Sequence, residues 1–159
     1  MGDSGNWLDD REQQVWRTFH RMRNQLTLAL GQSLQQDSGI SESDFEVLAA
    51  LAAAPDQTMR ARTLRAELQW EKSRLAHQIR RMEQRGLVAR EECVEDGRAP
   101  LVRLTEAGRT TIRSAAPAHA ARVRELFFAG LTPAQVEALH EAAAVVLSRL
   151  HRNCPAELP

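Results

Sequence analysis

The strongest constraint on the fold is a change of hydrophobic period between residues 71 and 105. In the run EKSRLAHQIRRMEQRG the apolar residues Leu75, Ile79 and Met82 recur three or four positions apart, which marks one face of a helix. Gly86 follows, where a left-handed C-terminal cap belongs. The pattern then shortens: residues 87–93 and 101–105 read as two strands, with Asp96-Gly97 the strongest turn signal between them. The connection is longer than a two-residue turn, and Pro100 suits an edge strand.

Upstream, Thr58 is placed to cap a helix over 59–68, with Leu64 and Leu68 facing inward. A short connection at Gln69 and Trp70 leads into the helix over 71–85. Two short helices so joined form a helix-turn-helix, and the hairpin behind them makes it a winged helix. Around this core, Asp9, Asp10 and Glu12 suit the positive end of a first helix. That helix carries an apolar stripe of Val15, Phe19, Met22, Leu26 and Leu30. Gly39 ends it, and Ser41 or Ser43 caps a second helix containing Phe45, Val47, Leu48 and Leu51. Thr105 caps a fifth helix, with Glu106 in its first turn and Pro117 expected to kink or divide it. After Gly130, Thr132-Pro133 opens a sixth helix, whose apolar face is Val136, Leu139, Ala143, Val146, Leu147 and Leu150. The expected class is mainly α, a winged helix-turn-helix core with a two-stranded β wing between N- and C-terminal helices.

The formal net charge is zero, yet the charge is segregated. Residues 60–113 hold 13 Lys or Arg against 8 Asp or Glu, whereas residues 1–59 hold 4 against 9 and residues 114–159 hold 4 against 4. A local basic face on a neutral molecule suits a polyanionic partner, although a solvated helix face gives the same count. On the fourth helix Ser73, His77, Arg80 and Gln84 fall opposite the core. Arg74 and Arg81 lie at one margin and Lys72 and Gln78 at the flanks. Arg matches the acceptor pair of guanine, Gln the edge of adenine, and Ser a base or phosphate. The N-terminal half of such a helix makes most base contacts, which favours Ser73, Arg74, His77 and Gln78. At the wing tip Arg98 can enter a minor groove, and Asp96 can hold Arg98 or Arg81 by a bidentate pair. Asp-Gly also occurs in turns for backbone reasons alone. Arg90 and Arg103 on the strands read equally as phosphate contacts or solvated positions.

The run from Arg81 to Arg109, RMEQRGLVAREECVEDGRAPLVRLTEAGR, resembles the MarR family of bacterial transcription regulators. The matching residues are Arg81, Glu83, Gly86, Leu87, Val88, Asp96, Arg98, Leu104, Thr105 and Gly108; Gly97 and Pro100 depart from the usual wing. The resemblance implies a homodimer on a pseudopalindromic operator in double-stranded DNA, usually as a repressor, with terminal helices pairing across the dimer axis. It implies one domain over 1–159, divided into a DNA-binding lobe at 43–106 and a helical dimerisation lobe at 7–42 and 107–159. It also gives Arg98 the minor-groove role and Asp96 that of its partner. The spare apolar stripes on the first and last helices point independently to self-association.

MarR-like proteins often release DNA when a small phenolic or lipophilic molecule binds between the dimer helices and the winged helix, a junction that here should involve the first helix and the start of the fifth. Trp16, His20 and Arg23 are the candidates to line such a pocket, against the competing reading of a dimer-boundary aromatic with polar neighbours. Trp70 is expected to anchor the turn. Cys93 and Cys154 are expected to be inert: Glu91, Glu92 and Glu95 raise a thiol's pKa rather than lower it. Five His residues without close ligand spacing predict no metal site and no cofactor. A polar, acidic N-terminus and no long apolar run predict a cytoplasmic protein without membrane contact. No phosphate loop or nucleophile elbow supports an enzyme. The rival that keeps the fold is a winged helix used for protein–protein contact.

Overall fold

A computed structural model describes residues 7–91 and 100–153. Helix α1 (Asp10–Ser38) starts in a reciprocal cap. Glu12 N–H donates to Asp9 Oδ1 at 2.7 Å, and Asp9 N–H donates to Glu12 Oε2 at 3.0 Å. Gly39, at φ 64°, ends it in the left-handed region that glycine adopts without strain. Ser41 and Asp44 repeat the reciprocal cap at the start of α2 (Glu42–Ala53). A 3-10 turn at Pro55–Gln57 leads to strand β1 (Thr58–Arg60), then α3 (Ala61–Leu68) and α4 (Lys72–Gln84). Strands β2 (Val88–Glu91) and β3 (Leu101–Leu104) follow, then α5 (Glu106–Val123), a π-helical turn at Arg124–Phe128, and α6 (Pro133–Asn153).

The architecture is mainly helical with a winged helix-turn-helix at its centre, and three local expectations change. Residues 58–60 form a strand, not the start of a helix; Thr58, Met59 and Arg60 pair antiparallel with Arg103, Val102 and Leu101. The sheet is therefore three-stranded, in the order β1-β3-β2, and α3 opens at Ala61 without a side-chain cap. Pro100 consequently precedes the central strand rather than lying on an edge. Its missing N–H interrupts no ladder there, and its carbonyl accepts Ala61 N–H at 3.0 Å. Pro117 does not divide α5, which continues through it.

The chain divides into two compact units at residues 122 and 123. In the first, Val47, Leu48 and Leu51 of α2 meet Leu64 of α3, Leu75, Ile79 and Met82 of α4, and Val102 and Leu104 of β3, all at 4% exposure or less. Each such side chain contributes about 1.5–3 kcal/mol on removal from water. Of the α1 stripe only Leu30 is buried, with Leu34 a turn further on, whereas Val15, Trp16, Phe19 and Met22 are exposed. In the second unit Thr132 opens α6 by a reciprocal cap with Gln135. Leu139, Val146, Leu147 and Leu150 of α6 are exposed. Among the described residues no helix is long and apolar enough to cross a membrane.

Candidate nucleic-acid interface

Helix α4 buries Leu75, Ile79 and Met82 and exposes Lys72, Ser73, Arg74, His77, Arg80, Arg81 and Gln84. Its first turn holds no acidic residue, so Lys72 and Arg74 stand at the positive end of the helix dipole, a placement that an approaching anion relieves. Trp70, buried at 8% exposure, is fixed in the α3–α4 turn by its N–H bond to the Arg65 carbonyl at 3.1 Å. Gln69 makes that turn with φ 54°. The Arg74 guanidinium lies over the Trp70 ring, 4.0 Å from its centroid. Thus Trp70 does anchor the turn, and it also carries a cation that helical periodicity alone did not connect to it.

Gln78 is not available to a groove. It is buried at 6% exposure, and its Nε2 donates to Asp44 Oδ1 at 2.6 Å. An amide at the flank of the apolar face finds a buried carboxylate on α2 and satisfies it. Asp44, at 1% exposure, also accepts from Arg85 Nη1 at 2.6 Å and from Ser41 N–H at 2.9 Å. Arg85 Nη2 continues to the Gly39 carbonyl at 2.9 Å. Burial alone would raise the Asp44 pKa; the Ser41 and Arg85 hydrogen bonds outweigh it and hold the carboxyl below its ordinary range. Asp44 therefore ties the recognition helix to the corner between α1 and α2. The residue's short-range signal was the Ser41-x-x-Asp44 cap; its role on α4 has no local signature. Nearby Glu46 is shifted the other way, upward, first by burial and then by Glu42, with Arg74 drawing it back.

Past α4, Gly86 turns the chain at φ 69° and the hairpin is clamped to α5. Thr105 Oγ1 faces the Gly86 and Leu87 carbonyls at 2.6 and 3.0 Å and accepts Gly108 N–H at 3.0 Å. A Cβ on Gly108 would lie 2.0 Å from the Leu87 carbonyl oxygen, so only glycine fits. Arg90 is held by Glu83, with Nη2 to Oε2 at 2.8 Å and its N–H on Oε1 at 3.2 Å. Arg103 pairs with Glu91 across the strands. Both arginines thus have carboxylate partners within the fold. Asp96, Arg98 and Cys93 at the wing, and Cys154 in the tail, lie outside the described residues.

Trp16, His20 and Arg23 cluster on α1. The Trp16 and His20 rings meet edge-on at 4.3 Å, and Arg23 Nη2 reaches His20 Nδ1 at 3.3 Å. They form a ridge on the helix surface, with Trp16 54% exposed. They do not line the small cavity found elsewhere in this unit, whose walls include Leu34, Asp37, Ala115 and His119. There the His119 ring lies 4.3 Å from Phe45, and burial pushes its pKa below 6.5. Among the described residues no three side chains are grouped to hold a metal ion.

The model of the MarR family matches residues 38–99. The chain is similar over 92% of its length to AbsC, a MarR family transcriptional regulator from Streptomyces coelicolor, at 38% identity and a TM-score of 0.86, covering 98% of that protein. It is similar over 94% of its length to Sco3205, a MarR family transcriptional regulator from the same organism solved in complex with DNA. There the identity is 34%, the TM-score 0.87 and the coverage of that chain 93%. A mutant MarR from E. coli complexed with operator DNA shares the fold, with a TM-score of 0.74 at 23% identity over 84% of this chain and 93% of that one. No curated protein matches the sequence.

Proposed function

Because the chain belongs to the MarR family of transcriptional regulators, we propose that it acts as a homodimeric, sequence-specific repressor on a pseudopalindromic operator. Helix α4 enters the major groove with Lys72, Ser73, Arg74, His77 and Arg81, and Arg98 of the wing enters the minor groove with Asp96 as its support. The observation that carries this reading is how the cations sort. Arg85, Arg90, Arg103 and Arg109 are each ion-paired to a described carboxylate. Lys72, Arg74, Arg80 and Arg81, exposed on α4, are paired to none of the described ones. Cations on one helix that meet no described carboxylate suit phosphate and base acceptors together. That Sco3205 was solved in complex with DNA supports DNA as the partner.

Dimerisation is supported by the exposed apolar faces of α1 and α6. Two tethered modules about 34 Å apart can read successive major grooves, which one small module cannot do. Release by a phenolic or lipophilic effector completes the reading. Trp16, His20 and Arg23 then act as a surface ridge that a second protomer completes, with Trp16 exposed on α1.

The test is binding to the DNA upstream of the protein's own gene. Replacing Arg74 and Arg98 together by Ala lowers the affinity by at least roughly tenfold and flattens its dependence on salt. Unchanged promoter binding and salt slope in the double variant would refute the site assignment, whereas a wild type that binds no such DNA would favour a winged helix used for protein–protein contact.

A further inference from the structure

We propose that Trp70 is a specificity-determining residue: its indole face holds Arg74 as a reader of one guanine in each half-site. This rests on the DNA-binding reading above and adds to it the base and the residue that aims the reader. Arg74 is the third residue of α4, in the turn that leads a recognition helix into a groove. An arginine there has two possible duties. A mobile guanidinium meets whichever phosphate oxygen is nearest and carries no sequence information. A guanidinium held in one plane presents its N–H edge as a fixed fork, matching N7 and O6 of guanine.

The geometry selects the second duty. The guanidinium carbon lies 4.0 Å from the Trp70 centroid, a stacking distance, and tryptophan offers the strongest cation–π face. The indole itself is packed in place: Trp70 is 8% exposed, lies in the hydrophobic core, and its backbone N–H is bonded to the Arg65 carbonyl. The left-handed Gln69 immediately before it fixes where the ring enters the core. The guanidinium is therefore seated on an anchored ring, while Arg74 itself stays exposed to a ligand. Lys72 and Arg80 are also exposed on α4, and no described aromatic ring lies under either one. They suit phosphate.

The experiment uses the full-length protein and the upstream fragment it protects, with each guanine replaced singly by 7-deazaguanine, which lacks the N7 acceptor. For the wild type, one guanine in each half-site is expected to cost about tenfold in affinity when replaced, the scale of a lost bidentate contact. In Arg74→Lys, which keeps the charge and leaves the core alone, that penalty disappears while the salt dependence is kept. In Trp70→Leu the penalty shrinks several-fold with non-specific binding unchanged. If that variant does not fold, Trp70→Phe, which keeps a smaller ring in place, gives an intermediate penalty. A full penalty in Arg74→Lys, a full penalty in a folded Trp70 variant, or a wild type indifferent to every guanine overturns the inference. A wild type that protects no upstream DNA overturns the underlying function instead.

Discussion

Replacing Asp44 by Ala tests whether the recognition helix is held by one buried carboxylate. The carboxylate receives three hydrogen bonds, from Ser41 N–H, Gln78 Nε2 and Arg85 Nη1. Deleting it leaves the Gln78 amide buried without this acceptor, at about 1–3 kcal/mol. It also removes the carboxylate half of the reciprocal cap, leaving Ser41 N–H without this acceptor while Ser41 Oγ still caps residue 44, at ~1 kcal/mol. Arg85, with its side chain 40% exposed, turns to water and adds little. The expected loss is therefore about 3 kcal/mol, or a fall in melting temperature of roughly 6–12 °C for a chain of this size. Chemical denaturation at fixed protein concentration measures it, since the proposed dimerisation would make apparent stability depend on concentration.

Acid titration separates the charge from the packing. The folded Asp44 pKa lies below its ordinary value of 3.8. Its stabilisation is thus complete above that value and disappears as pH falls through the lower folded pKa. Asp44→Asn retains the shape but loses that acid dependence, and it turns an NH2 group toward donors that need an acceptor. A loss under about 1 kcal/mol in Asp44→Ala, or an unchanged acid limb in Asp44→Asn, would refute the assignment.

Gly108→Ala sets a methyl against the Leu87 carbonyl oxygen at 2.0 Å; thermal melting should show a loss of about 3 kcal/mol or more, or no folded protein. His119, whose pKa burial pushes below 6.5, favours its neutral form in the fold. Stability should therefore decline as pH drops through 6.5 toward the folded value, and His119→Phe should flatten that part of the profile in urea denaturation. Leu147, exposed at 51% on α6, should tolerate Glu within one chain, yet Leu147→Glu should sediment as a monomer and bind promoter DNA more weakly than the wild type.

What the sequence disclosed depended on the range of the signal. Caps act over three residues, so Asp9, Thr105 and Thr132 could be placed at helix starts from residue type alone, and Ser41 as one of two candidates with Ser43. Gly86 and the 3.6-residue period of Leu75, Ile79 and Met82 were equally local. Strand β1 was hidden because its three residues become a strand only by pairing with β3, far along the chain. Thr58 alone reads as a cap. Gln78 misled for a related reason. Its position at the edge of the apolar face is compatible with groove or core, and the deciding partner, Asp44, lies on another helix. The Trp70–Arg74 stack spans only four residues, but it required knowing that Gln69 turns the indole beneath the first turn of α4.

These partners explain how a chain of zero net charge can present a site for a polyanion. Its middle third carries the excess of basic residues, but much of that charge is spent on the scaffold. Arg85 secures the end of α4 to α2, Arg90 links the first wing strand to Glu83, Arg103 closes across the sheet, and Arg109 bridges Glu106, Gln57 and the Leu104 carbonyl. Pairing these arginines stiffens the frame and cancels their long-range field. On the outward face of α4 no cation is ion-paired to a described carboxylate, and Glu46 of α2, which interacts with Arg74, is partly buried with its pKa raised by that burial. If that balance matters, adding negative charge on α2 near Glu46 should weaken the site without replacing a proposed DNA contact. Ala49→Glu, one turn beyond Glu46 on α2, should then lower promoter affinity most at low salt, where screening is least. An equal loss at every ionic strength would instead indicate a disturbed fold.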